Sequence, residues 1–318
     1  MLAMYHLIST YPEFMKIVDL ISMQNPLQRK RINNFISQQD TDYWTYAEEI
    51  CRNLNQSFLR SEQEQIEAAL AYNRMSMDFL LEQIRFRKTG VYRLNDADLA
   101  KQNVYSQPEV MRYYMVGLLL SYLLWPNHYK MLRFLKTHIQ QISTIKSYLD
   151  IAPGHGLFAV EVMQRFPELR GTLLDISETS IEVTNEILAA FQIDPSRFHF
   201  INGDFLSVPI GGSNFDFISM GEVLEHVNEP ATFLERAHRL LQPSGTIFMT
   251  TCVNCPAIDH VYQFHNVDEI RDVIHDAGLS IVKERAMPAE ALPEERCQEE
   301  LITINYCAIL VKANKESI

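Results

Sequence analysis

The residue types and spacings that could do chemistry lie at the ends of apolar runs in the second half of the chain. Asp150-Ile-Ala152-Pro-Gly154-His-Gly156 sets an acid before a turn. Glycines in such a turn let the backbone approach a ligand and aim N–H groups at it. Asp175 closes the next apolar run, about 20 residues further on, where a carboxylate can hold a ribose diol. Asn202-Gly-Asp204-Phe205 and Met220-Gly-Glu222-Val-Leu-Glu225-His226 follow two further runs. Histidine titrates near ~6.5, so His226 suits proton removal at neutral pH, although it could equally be a supporting residue at a helix start. Asp204 has a bland reading as a turn residue after Gly203. His260 and His265 follow a fifth run, and with His226 they could surround a metal, but their spacing matches no ligand signature and no metal is expected. Cys252-Val-Asn-Cys255 has the spacing of half a zinc site or a redox pair. Without a second close pair, a chance pairing near a strand end is the expectation.

At these residues the chain resembles the class I S-adenosylmethionine (SAM) dependent methyltransferases, whose glycine motif runs acid-x-Gly-x-Gly-x-Gly. Ala152 stands where that motif has its first glycine, and fits there if its φ is negative. Gly154-x-Gly156-x-x-Ala159 also satisfies the dinucleotide fingerprint, and Asp175 suits that reading too. Asp150 favours SAM, because an acid at the strand tip can meet a methionine ammonium and would repel a pyrophosphate. The resemblance spans residues 145–313 and implies SAM as cofactor and S-adenosylhomocysteine as product. It implies Asp150, Ala152, Gly154 and Gly156 at the methionine end, and Asp175 and Ile176 at the ribose and adenine face. Asp204 would accept the adenine amino group, Phe205 would pack on the ring, and Met220 would close the fourth strand beside it. The family often carries a glutamate–histidine pair after that strand, which here is Glu225-His226. His226, Glu222 and Tyr114 are the catalytic candidates. In related enzymes a helix before the glycine strand covers SAM, and an aromatic face suits a sulfonium, which adds Tyr113 to the cofactor set. His155, inside the turn, is expected to be exposed beside the cofactor.

Composition narrows the function classes. The chain has 318 residues, enough for about two domains, and 47% apolar with 21% charged residues suits a soluble globular protein with a sizeable core. A net charge of −12 argues against nucleic acid as partner, since phosphate binding needs concentrated positive charge. The basic runs 28–31 and 85–88 read as solvated helix faces. No secretory signal is evident, and the longest apolar run, 115–125, is too short for a bilayer core of ~30 Å. Five cysteines do not suggest a disulfide framework. A reduced cytoplasmic setting, a small-molecule substrate and no membrane partner are the expectations.

The elements that must position these residues follow from periodicity. Residues 1–144 read as helical throughout, with capping boxes at Ser61–Glu64 and Ser106–Glu109. From 145 onward strands and helices alternate, which implies a parallel sheet with crossover helices. Strands are expected at 145–151, 171–175, 198–201, 215–220, 246–251, 279–285 and 301–311, and helices at 157–166, 178–191, 230–241 and 267–277. The last two strands have no helix between them and could pair antiparallel, as in the methyltransferase sheet. The segment 286–300 is left as a lid or a loop. The fold expected is α/β, a seven-stranded doubly wound mostly parallel sheet, preceded by an all-helical N-terminal domain. Residues 1–144 would cap the substrate and could form a homodimer contact, and 145–318 would bind SAM. The function expected is methyl transfer from SAM to a small molecule, in specialised metabolism. A SAM-consuming cyclase or lyase that releases methylthioadenosine is the alternative, and an NAD(P)-dependent oxidoreductase is a weaker one.

Overall fold

A computed structural model describes residues 9–211, 214–290 and 292–313. The N-terminal helices are α1 Pro12–Gln24, α2 Pro26–Ile36, α3 Thr41–Ser57 and α4 Glu62–Thr89. They continue with α5 Ala97–Ala100, which runs into a π turn at Lys101–Tyr105, and then α6 Pro108–Leu124 and α7 Pro126–Gln141. Local chemistry sets their ends. Ser61 and Glu64 form the reciprocal capping box that opens α4, and Gly90 closes it with φ +72°. Gly117 lets α6 press onto α4, because a Cβ there would stand 2.7 Å from Met75 Cβ. The second expected capping box does not form. Ser106 instead closes the π turn through its N–H to the Lys101 carbonyl, and Gln107 starts α6 without a side-chain cap.

Beyond residue 145 the chain alternates as the periodicity implies. The elements are β1 Ser147–Ile151, α8 Leu157–Arg165, β2 Arg170–Asp175, α9 Glu178–Ala190, β3 Phe198–Asn202, β4 Phe215–Gly221 and α10 Pro230–Leu240. They end with β5 Leu241–Val253, α11 Val267–Asp276, β6 Leu279–Pro288, α12 Glu294–Glu299 and β7 Ile304–Lys312. The seven strands lie in the order β3-β2-β1-β4-β5-β7-β6. β7 runs antiparallel between β5 and β6, and the remaining pairings are parallel. The largest differences from expectation lie at β5, at β7 and in the segment 286–300. β5 begins at Leu241, which pairs with Phe215. β7 begins after Leu301, whose φ of +53° is incompatible with an extended strand. A short helix, α12, lies within 286–300, where a lid or loop is expected.

One face of the sheet buries its apolar residues together with those of the N-terminal helices, and the other packs against α10 and α11. Tyr148, Phe217 and Phe248 of the sheet therefore share a core with Phe14, Tyr43 and Tyr72. This arrangement holds α6 across the carboxyl ends of the strands. No described helix is long and apolar enough to cross a membrane.

Candidate active site

A cavity of about 1620 Å³ opens over the carboxyl ends of the strands. α6 roofs it with Met111, Tyr114, Met115, Leu118 and Tyr122, one helical face at three- and four-residue spacing. The strand tips supply the floor, which is where open α/β sheets bind ligands.

Asp150 is buried at the tip of β1. Its Oδ1 accepts from Ser219 Oγ at 2.5 Å, and that hydroxyl is in turn 2.7 Å from Tyr148 Oη. Its Oδ2 has no protein partner, and Asp150 lines the cavity. Burial pushes its carboxyl up to about 7, against the pull of these hydroxyls. A buried acid oxygen without a partner, on a residue that lines the cavity, fits an ammonium donor. Asp175 caps β2, with Oδ1 accepting from Ser177 N–H at 2.8 Å and Oδ2 from Gly154 N–H at 3.4 Å. Burial raises it to about 6. Gly154 and Gly156 have φ of +60° and +76°, and a Cβ on Gly156 would stand 2.8 Å from Thr184 Cγ2. Thr184 Oγ1 also donates to the Gly154 carbonyl at 2.9 Å, tying the turn to α9.

Ala152 departs from expectation. Its φ is +54°, in the left-handed region, so alanine occupies a glycine conformation at a cost of about 1–2 kcal/mol. Glycine gives back roughly 0.5–1 kcal/mol through the freedom of its unfolded chain. Ala152→Gly is therefore expected to raise stability by about 0.5–1 kcal/mol, or roughly 1–4 °C in Tm for a chain of this size. A thermal melt checks this, and a lowered Tm would contradict the strain.

The two raised carboxyls predict a pH dependence. Below about pH 7 the empty site holds a proton on Asp150 that an incoming ammonium must displace. SAM affinity is expected to fall up to about tenfold per unit of acidification below that point. Asp175 adds a second released proton only near and below its value of about 6. Calorimetry in buffers of different ionisation enthalpy reads the released protons directly, and buffer-independent heats at acid pH would contradict it.

The far side of the cavity carries a histidine network. His226 Nδ1 lies 2.9 Å from Tyr105 Oη, 3.3 Å from the Asp259 carbonyl and 3.5 Å from Asp259 Oδ2. Tyr114 Oη is 3.5 Å from Asp259 Oδ1 and its ring stacks on Phe79. Burial raises the Asp259 carboxyl, and the nearby His226 opposes that rise. Glu222, with φ +52°, has Oε2 3.5 Å from Asn305 Nδ2 and a buried Oε1 without a partner. Burial lifts it to about 7. Glu225 is fully buried beneath it, accepts from Thr251 Oγ1 at 2.6 Å, and is raised by burial and by the charge of Glu222. A non-glycine residue in a strained conformation with an unpaired carboxylate oxygen is the kind of local cost that functional sites retain.

Most of the sequence-derived residues meet here. Asp150, Ala152, Gly154, Asp175, Ile176, Asp204, Phe205, Glu222, His226 and Tyr114 all line the cavity, and Gly156 shapes the turn from behind. Two do not. Tyr113 turns away, donating to Asp78 Oδ2 at 2.8 Å with the Arg74 guanidinium 3.8 Å over its ring. One helical step of about 100° separates it from Tyr114, so both cannot face the cavity. Met220 is buried inside the sheet, and Gly221, next along, lines the cavity instead. Asp204 reaches the wall, but its Oδ1 accepts the Leu206 N–H at 2.9 Å, so it also serves its own turn. His155 is buried against Tyr122, not exposed. Sequence reasoning missed Tyr105 and Asp259. Asp259 could have been flagged by its place beside His260 after β5, whereas a tyrosine in a π turn gives no signal. His265 pairs with Glu269 at the surface, so the three histidines do not converge. Cys252, Cys255 and His260 do converge and could hold a metal.

A family model described as a methyltransferase domain matches residues 149–249. The chain carries a class I SAM-dependent methyltransferase domain. Demethylmenaquinone methyltransferase of Chlamydia felis is 31% identical over 113 residues, covering 35% of this chain and 46% of that protein. Ubiquinone biosynthesis O-methyltransferase of Pseudomonas paraeruginosa is 28% identical over 108 residues, covering 33% of this chain and 44% of that protein. The chain thus spans less than half the length of either relative. An O-methyltransferase family protein from Burkholderia thailandensis shares the fold, with a TM-score of 0.52 at 14% identity over 82% of this chain and 77% of that one. The matched stretch of the methyltransferase domain runs from β1 into β5. It holds Asp150, Asp175, Glu222 and His226, and leaves out Tyr105, Tyr114, Asp259 and the helical roof.

Proposed function

We propose that this chain transfers a methyl group from SAM to a small-molecule acceptor whose nucleophile must lose a proton. The observation that carries the reading is a single cavity with unpaired buried carboxylate oxygens on Asp150 and Glu222 and a tethered histidine between the cofactor floor and α6. SAM supplies an electrophilic methyl on a sulfonium when bound. Asp150 meets the methionine ammonium, the Gly154 turn follows the backbone of that ligand, and Asp175 holds the ribose diol. Ile176 and Phe205 flank the adenine.

On the acceptor side, Glu222 receives a donor of the acceptor through Oε1 and fixes its orientation. His226, anchored at Nδ1 by Tyr105 and Asp259, takes the proton through its other ring nitrogen. Tyr114 and Met115 close the roof and exclude water, so nucleophile and methyl are held in line in a dry space. The aromatic roof and the relatives' names, both from quinone biosynthesis, support a flat hydroxylated or carbon-acid acceptor. An unpaired acid at the β1 tip disfavours a dinucleotide pyrophosphate. We assign residues 1–144 the role of a cap that selects the acceptor, and the exposed Leu70, Met77, Leu81 and Ile84 of α4 offer a face for a second copy.

The test is a panel of phenols, quinols, enolisable carbon acids and amines incubated with SAM, with S-adenosylhomocysteine as readout. Turnover with a hydroxyl or carbon acid that rises with pH supports the reading. Methylthioadenosine formed from SAM alone would replace it with the cyclase or lyase reading.

A further inference from the structure

The end of β5 and the loop after it bring Cys252, Cys255 and His260 together beside the cavity, and the turn after β4 sets Glu225 next to Cys252 and His260. The ligand atoms of Cys252, Cys255 and His260 all lie within 4.8 Å of one another. Cys252 Sγ is 3.7 Å from Glu225 Oε1, and His260 Nδ1 donates to the Cys255 carbonyl at 2.5 Å, which fixes the ring and leaves Nε2 as the ligating nitrogen. Glu225 is also within the same reach of His260. A tetrahedral zinc site, with bonds of about 2.3 Å to sulfur and 2.0 Å to nitrogen or oxygen, sets ligand atoms about 3.3–3.8 Å apart. The observed separations need to close by a few tenths of an ångström to about one.

Two further observations point the same way. Asn254, between the cysteines, has φ +47°, a left-handed turn that bends the chain between the two thiols. Cys252, Cys255, Glu225 and Glu222 also share a mostly buried volume, and among the described residues no lysine or arginine pairs with any of them. Thr251 Oγ1 satisfies one oxygen of Glu225 at 2.6 Å, and Tyr92 Oη accepts the Cys255 N–H at 2.8 Å. A buried set of thiols and carboxylates without a counter-ion is costly as anions and is what a divalent cation compensates.

We propose that Cys252, Cys255, His260 and Glu225 bind one divalent ion of the zinc class. Two sulfurs, one imidazole and one carboxylate in a small tetrahedral space favour zinc over magnesium or calcium, which take harder oxygen ligands. Binding releases the two thiol protons to solvent. Cys255 and His260 line the cavity, so the ion lies in the wall of the acceptor side and is reachable from it. His226 stands beside the site, its ring centroid 4.6 Å from that of His260 and a ring nitrogen within 4.8 Å of the ligand atoms of Glu225 and His260, and the proposal leaves it outside the four ligands. The proposal does not depend on methyl transfer.

The test uses the full chain, purified and kept reduced, stripped with a chelator and titrated with cobalt(II). The expected result is a thiolate-to-cobalt charge-transfer absorption that saturates at about one ion per chain and is displaced by zinc. Cys255→Ser and His260→Gln should abolish or sharply weaken it with unchanged circular dichroism. His226→Asn should retain it while lowering turnover, which separates this proposal from the acid–base reading. The wild-type titration decides even if a variant fails to fold. A folded, reduced wild-type protein without the absorption, or an absorption that persists at full strength in folded Cys255→Ser, overturns the proposal.

Discussion

Asp175→Ala is expected to weaken SAM and S-adenosylhomocysteine binding by about 100-fold. Its carboxylate lies at the tip of β2, where each oxygen already accepts one backbone N–H, from Ser177 or Gly154. Each oxygen keeps a lone pair for a ribose hydroxyl. Hydrogen bonds to a charged group contribute about 1.5–3 kcal/mol each, and about 1.4 kcal/mol corresponds to tenfold in affinity. Removing the carboxylate also releases the Gly154 N–H, so the glycine turn loses a tether. Asp175→Asn keeps an acceptor for Ser177 but turns an amide donor toward Gly154 or the diol, and should fall between alanine and the parent. Calorimetric titration reads both, with circular dichroism confirming the fold. Affinity unchanged within about threefold in the alanine variant would remove the ribose assignment.

His226→Ala is expected to lower kcat by about 10²–10⁴-fold, the usual yield of a positioned general base, while SAM affinity stays within about threefold. The separation follows from position. His226 sits on the short turn after β4, tied to Tyr105 and Asp259, whereas Asp150 and Asp175 sit at the tips of β1 and β2. Asp259→Asn leaves the imidazole in place but replaces the carboxylate 3.5 Å from Nδ1 with an amide, so it should reduce kcat by a smaller factor. Tyr105→Phe should do the same by freeing Nδ1. Steady-state kinetics with an acceptor from the panel gives the split between kcat and KM. A His226→Ala enzyme with full kcat would show that the acceptor arrives already deprotonated or needs no base.

Legibility of the sequence varied with how local the determining chemistry was. The alternation of strands and helices after residue 145 was readable because each of the first four strands is a short apolar run with an acid or glycine at or just beyond its end. The antiparallel pairing of β7 followed from two strands in succession without a long crossover between them. The floor of the cavity was readable for the same reason, since Asp150, Asp175 and Glu222 sit directly on strand tips. What failed depended on rotation or on distant packing. Tyr113 and Tyr114 cannot be ranked by composition, because only the docking of α6 on α4 at Gly117 fixes which ring meets the cavity. Ala152 fits the glycine position without strain only at negative φ, but the turn is held by its N–H to the Leu174 carbonyl at 2.7 Å and by the glycines after it, so a positive φ is imposed from both sides. Tyr105 reaches His226 across 121 positions of sequence, and no local pattern encodes such a contact. Ser106–Glu109 had the letters of a capping box, but the π turn before it claimed Ser106 first.

The central claim is tested most directly by incubating the protein with SAM carrying an isotopically labelled methyl group and a small-metabolite extract, then locating the label by mass spectrometry. The account predicts the label on one small acceptor, with S-adenosylhomocysteine formed in equal amount and both lost in His226→Ala. Label on protein or nucleic acid alone, or methylthioadenosine in place of S-adenosylhomocysteine, would contradict it.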